Sequence, residues 1–142
     1  MLRPETKRRA RALQLLYVLE TVGDGDQNAA SSGLARLTGP EPALHEEAVA
    51  IVEGVMLQRD AIDKVAARAT EHWRFDRIAS VERNILRLGI HELMLGVVPP
   101  KVVLDESIWL AHRFAGPKAP SFINGVLDRV ARDLGRLKGH RP

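Results

Sequence analysis

Apolar residues recur along the chain at three- and four-residue spacings, and no stretch alternates as a half-buried strand would. The pattern predicts an all-α protein. A first helix is expected over about 4–20, with Pro4 suited to a first helical turn. Its apolar arc is Leu13, Leu16 and Leu19, flanked by Ala12, Leu15 and Tyr17, and Gly23, Asp24 and Gly25 end it. Residues 26–37 form a weaker second helix, interrupted by Ser31, Ser32 and Gly33. After the loop 38–42, Pro42 opens a third helix built on Ala48, Ile51, Val52 and Val55. A fourth repeats the pattern with Ile62, Val65, Ala66 and Ala69. Trp73 and Phe75 fall in a connector, expected to plug the junction between two halves.

Ser80 is the expected N-cap of the next helix, over 81–95, with Glu82 near the positive end of its dipole. That helix is apolar almost all round, apart from a strip of Arg83, Arg87 and His91, and should be central and buried. Pro99 and Pro100 open a helix over 101–114 with Leu104, Ile108 and Ala111 facing the core. The run from Gly116 to Pro120 breaks the chain again. A last helix then packs through Ile123, Val126, Leu127, Val130 and Leu134, followed by a basic tail. The expectation is one domain over 1–142: a compact bundle of about seven helices in two packed helical subdomains, roughly 1–75 and 76–142.

Composition narrows the picture. A chain of 142 residues that is 45% hydrophobic but only 4% aromatic suits a single domain with an aliphatic, helical core. The absence of cysteine excludes disulfides and thiolate-bound zinc, and fits a reducing compartment. The start, MLRPETKRRA, lacks the apolar run of a secretory signal. No apolar run reaches the roughly 18 residues of a membrane span. A soluble, cytoplasmic protein is expected. The net charge of +3 is modest, but its distribution is uneven: residues 1–20 carry five Lys/Arg against two acids, residues 101–142 eight against four, and the middle eight against twelve. Basic ends around an acidic middle suit a localised anion-binding surface; a pair of solvated helix faces accounts for them equally well.

Two places carry candidate chemistry. On a helical wheel Lys7, Arg11 and Gln14 share one stripe opposite the apolar arc, and Arg8 and Arg9 lie in the first turn. Four cations within five positions can approach several phosphates, and Gln14 can hydrogen-bond a base edge or sugar. Many surface helices are equally arginine-rich, so a solvated face is the competing account. In the last helix, Phe122 projects roughly 100° from the core arc. Beside Lys118 and Ser121 it can stack on an unpaired base, or staple one helix to its neighbour. The five histidines show no metal-ligand spacing. Glu92 lies on a mostly apolar arc, where a structural ion pair accounts for it better than a catalytic acid. No nucleophile elbow, phosphate-binding loop or dinucleotide fingerprint is present, so no catalytic residue, metal or cofactor is expected. Trp109, beside Asp105 and Glu106, reads as a half-buried rim residue or a protein-contact anchor.

The run RRARALQLLYVLE resembles the opening helix of the NusB family. IDKVAARATEHWRFDRIASVERNILRLGIHELML resembles its central segment, and VPPKVVLDESIWLAHRFAG and SFINGVLDRVAR its last two helices. The resemblance covers nearly the whole chain, in the family's order and spacing. It implies an all-α fold of two helical bundles without catalytic activity. It further implies transcription antitermination by binding the boxA element of nascent transcripts as a heterodimer with NusE, a small-subunit ribosomal protein, in a complex with RNA polymerase. A homodimer of the unbound protein is a further possibility. Carried over residue by residue, the RNA contacts fall on Lys7, Arg8, Arg9 and Gln14, with Ser121 and Phe122; Arg11 and Lys118 join them from the reading of the residues alone. Glu82, Asp105 and Trp109 are the implied NusE contacts. The chain departs from the family pattern at Pro100, at Trp109 and over 117–120, where a commonly acidic run is replaced by one that adds positive charge near Phe122. Two rival readings are a relative of the NusB-like domain fused to RNA cytosine methyltransferases, and a purely protein-binding helical scaffold.

Overall fold

The computed structural model describes residues 2–22, 41–70 and 74–137. Among them are six α-helices and one 3-10 turn, and no strand. The helices are α1 (Pro4–Val22), α2 (Pro42–Leu57), α3 (Arg59–Ala69), α4 (Ser80–Leu95), α5 (Pro100–Phe114) and α6 (Ala119–Asp133); the turn, Phe75–Arg77, lies between α3 and α4. The weak helix expected over 26–37, the Gly23–Gly25 run expected to end the first helix, and Trp73 lie outside the described residues.

The chain divides into two compact units, Met1–Leu57 and Gln58–Pro142. This division falls one helix earlier than the expected break near residue 75, and an ion pair gives the reason. Arg87 of α4 meets Asp63 of α3 in a two-pronged bond, Nε to Oδ1 at 2.9 Å and Nη2 to Oδ2 at 3.1 Å. The same guanidinium donates to Asn84 Oδ1 at 3.1 Å and lies 5.5 Å from the centre of the Phe75 ring. A guanidinium that is only 8% exposed needs such partners to offset its lost hydration. The arrangement binds α3 and the turn to the helices that follow. Phe75 is thus half-buried within the second unit.

In the first unit α1 packs against α2. The Arg3 carbonyl accepts from the amides of Thr6 and Lys7 at 3.0 and 3.1 Å, satisfying donors that a helix start leaves open. Ala12, Leu13, Leu15, Leu16 and Leu19 are buried, as are Ala48, Val52 and Val55 of α2. In the second unit α4 is the centre, with every residue from Asn84 to His91 buried, and it packs against α3, α5 and α6. A side chain at Gly89 would put its Cβ 2.7 Å from Leu127 Cδ1, so the absence of one lets α4 and α6 approach closely. Helix α4 ends on Gly96 at φ +71, a left-handed C-cap. Arg136 donates from Nε to the Leu93 carbonyl at 3.0 Å and from Nη2 to that of Met94 at 3.1 Å.

Three local expectations are corrected. Helix α4 begins at Ser80 itself, with Ala79 in the cap position. Pro100 is already the first residue of α5. Leu134, expected in the core, is 37% exposed, because α6 ends at Asp133.

Candidate nucleic-acid interface

The basic cluster of α1 is largely engaged within its own unit. Arg9 and Arg11 are buried, at 8% and 6% exposure, whereas the wheel placed Arg11 opposite the apolar arc. Arg11 Nη1 donates to His45 Nδ1 of α2 at 3.4 Å, which makes that nitrogen the unprotonated acceptor of the ring. Arg9 Nη1 donates to the Glu5 carbonyl at 3.4 Å. Arg8 Nε pairs with Glu47 Oε1 at 3.3 Å, both side chains partly in solvent at 32% and 54% exposure. Such an exposed pair is worth little, about 0–1 kcal/mol.

What α1 leaves outward is a narrower face. Lys7 and Gln14 are half-buried, and Tyr17 is 48% exposed. These three lie seven and three residues apart, so they follow one side of the helix. Lys7 has no ion pair among the described residues. Tyr17, read from the sequence as a flank of the core, is the residue missed here; its signal was the three-residue step from Gln14.

The start of α6 presents a second group, on the second unit. Lys118 and Ser121 are exposed and Phe122 is half-buried. Ile123, Val126, Leu127 and Val130 are buried on the opposite arc. Lys118 is the residue before the helix, and the first turn holds no acid, so the positive end of the helix dipole is not offset there. Asn124 and Gly125, exposed in mid-helix, were also missed.

The remaining candidates sit on α4 and α5. Glu82 is half-buried in the first turn of α4, Asp105 is exposed and Trp109 half-buried. The Trp109 ring meets Phe114 edge-on, centroids 6.5 Å apart at 78°, and the Arg113 guanidinium lies 5.5 Å over the Phe114 ring. Glu92, read from the sequence as lying on a mostly apolar arc, is half-buried. Its neighbour His91 is buried, and that burial lowers the imidazole pKa below its ordinary 6.5 against a smaller raising effect of Glu92. No group of three or more His, Asp or Glu among the described residues is placed to hold a metal ion. No helix among them is long and apolar enough to cross a membrane.

Against known proteins, the NusB family profile matches residues 6–132. The chain belongs to the NusB family. Among its NusB relatives, a transcription antitermination protein of Anaeromyxobacter dehalogenans is 38% identical over 129 residues, 91% of each chain. Another, from Sorangium cellulosum, is 39% identical over 134 residues, 94% of this chain and 95% of the relative. Among solved structures, NusB of T. maritima matches with a TM-score of 0.77 at 30% identity, covering 89% of this chain and 91% of that one. A structure of the antitermination factors NusB and NusE in complex with double-stranded RNA matches with a TM-score of 0.78 at 27% identity, covering 94% of this chain and 99% of its counterpart. In this NusB-family chain the family match runs through both groups described above, from α1 to α6.

Proposed function

We propose that this chain is a non-enzymatic, cytoplasmic transcription antitermination factor. It binds boxA-type single-stranded RNA in nascent transcripts together with NusE, as part of the antitermination assembly on RNA polymerase. The observation that carries this reading is the start of α6. There an aromatic side chain turned off the core arc stands beside an exposed lysine and an exposed hydroxyl, a combination suited to an unpaired base and its phosphate. The family relatives named as antitermination proteins and the solved NusB–NusE complex with double-stranded RNA support an RNA-binding role together with NusE. The contacts assigned to RNA are Lys7, Arg8 and Gln14 on α1 and Lys118, Ser121 and Phe122 on α6. Arg9 and Arg11, buried in the first unit, act as structural residues. Glu82, Asp105 and Trp109 face NusE.

The experiment is equilibrium binding of a boxA-like single strand, a scrambled strand and the corresponding duplex, each with and without NusE. The boxA-like strand is expected to bind weakly to the chain alone and tenfold or more tightly with NusE, a gain of about 1.4 kcal/mol. NusE that neither binds nor raises affinity would leave a purely protein-binding helical scaffold as the better reading. Glu92→Gln is expected to spare RNA binding per folded molecule. Methylation or hydrolysis of RNA by the purified protein, abolished in that variant, would overturn the non-enzymatic assignment.

A further inference from the structure

Gly125 is out of place by the ordinary rules of helix stability. It stands in the middle of α6, next to Asn124, and both residue types form helices poorly. A mid-helix glycine is normally accounted for by a positive φ or by a neighbour too close for a methyl group. Gly125 has neither: its φ is not positive, and a Cβ built on it meets nothing within 4 Å. Gly89 shows the contrast, since there the neighbouring Leu127 leaves no room for a side chain. Folding alone would be better served by alanine at 125.

The surroundings indicate what the bare backbone admits. Gly125 occupies the open side of α6, with Ser121 one turn before it, Arg129 one turn after it and Phe122 three residues before it, all within reach along a helix surface. Lys118 is exposed and has no ion pair among the described residues. Both acids of the helix are engaged: Asp128 by Arg132 at 2.8 Å and Asp133 by Arg129 at 3.6 Å. These pairs balance the charges within the helix, which leaves the Lys118 cation and a glycine-wide gap beside an aromatic ring, a combination that fits a polyanion whose chain must come close to the helix.

We propose that Gly125 is the seat on which the sugar–phosphate chain of bound single-stranded RNA passes across α6, next to the nucleotide whose base stacks on Phe122. Asn124 flanks the seat as a hydrogen-bonding side chain. This inference rests on the RNA-binding function proposed above and adds to it a position that makes no side-chain contact at all. Its signature is an inverse relation between stability and binding.

The test is Gly125→Ala and Gly125→Leu in the full chain, with melting temperature, affinity for a labelled boxA-like single strand in the presence of NusE, and affinity for NusE without RNA all measured. Gly125→Ala is expected to raise the melting temperature by about 3 °C while weakening RNA binding about fivefold or more. Gly125→Leu should weaken it further, and NusE binding without RNA should not change. Unaltered RNA affinity in both variants, with binding by the wild type intact, overturns the inference and leaves the function standing. Loss of NusE binding in the absence of RNA overturns it by assigning the face to the protein partner. A wild-type chain that binds no RNA removes the function and this inference together.

Discussion

The starts of α1 and α6 are both rich in polar side chains, yet they use them in opposite ways. On α1 the charge is dense but largely committed: Arg11 to His45, Arg9 to a backbone carbonyl and Arg8 to Glu47. On α6 the charge is sparse but available, with Lys118 and Ser121 exposed beside Phe122. A buried guanidinium must be satisfied from within, because it has lost its water. Such a residue holds helices together and has little left for a phosphate. The density of basic residues in a sequence is therefore a poor measure of a binding surface; the number left without internal partners is a better one.

That contrast can be broken by substitution, beginning with the largest effect. Asp63→Ala removes the carboxylate from Arg87 while Asn84 Oδ1 and the Phe75 ring remain. Breaking a fully buried pair costs about 3–5 kcal/mol. Asp63 keeps 29% exposure, so a loss of about 2–3 kcal/mol is expected by denaturant titration. RNA affinity of the folded fraction should stay the same; a parallel loss of affinity would mean that buried arginines do serve the binding surface.

Phe122→Ala addresses the other side of the contrast. Base–aromatic stacking is worth about 1–3 kcal/mol, so RNA binding should weaken roughly five- to a hundredfold with a small change in melting temperature. A buried Phe→Ala would instead cost about 3–5 kcal/mol of folding stability. Melting and affinity measured on the same preparation separate the two, and a large melting loss with unchanged affinity would return Phe122 to the core.

Arg11→Ala should cost about 1.5–3 kcal/mol of stability, the scale of a lost charge-assisted hydrogen bond, in thermal or denaturant unfolding. No loss at all would mean that the His45 contact contributes nothing. The smallest effect is that of pH. Burial of His91 favours its neutral form, so the unfolded chain binds the proton more readily. The His91 contribution to stability should be constant above the ordinary value of 6.5 and decline as pH falls from there toward the lowered folded value. His91→Gln should remove that part of the decline in a series of melting curves.

The helices were legible in the sequence wherever periodicity and proline acted together. Pro4, Pro42 and Pro100 each open a helix, since a fixed φ and a missing N–H cost nothing in a first turn. The nearly continuous burial of α4 was legible as well, because its apolar residues leave room for only a narrow polar strip. The fate of Arg11 was not. Helix α1 is buried over more than half its circumference, so even a residue opposite the arc of Leu13, Leu16 and Leu19 goes inside where α2 supplies a histidine to receive it. The unit boundary was hidden for a similar reason: the Asp63–Arg87 pair joins residues 24 apart, and no local pattern announces it. That Phe122 lies off the buried arc of α6 was legible from its angle to Ile123 and Val130. Gly125 was not singled out, since a glycine is informative only once the space around it is known.

The most direct test of the account is the salt dependence of RNA affinity, with NusE present, for two double variants. Lys7→Ala with Lys118→Ala removes cations that have no ion pair among the described residues. Arg9→Ala with Arg11→Ala removes cations that are buried. Each phosphate contact to a single strand contributes about 0.7 to the slope of log affinity against log salt. The lysine pair should therefore flatten the slope by about 1.4, and the arginine pair should lower stability while leaving the slope of the folded fraction unchanged. The reverse result, a flattened slope in the arginine pair alone, would contradict it.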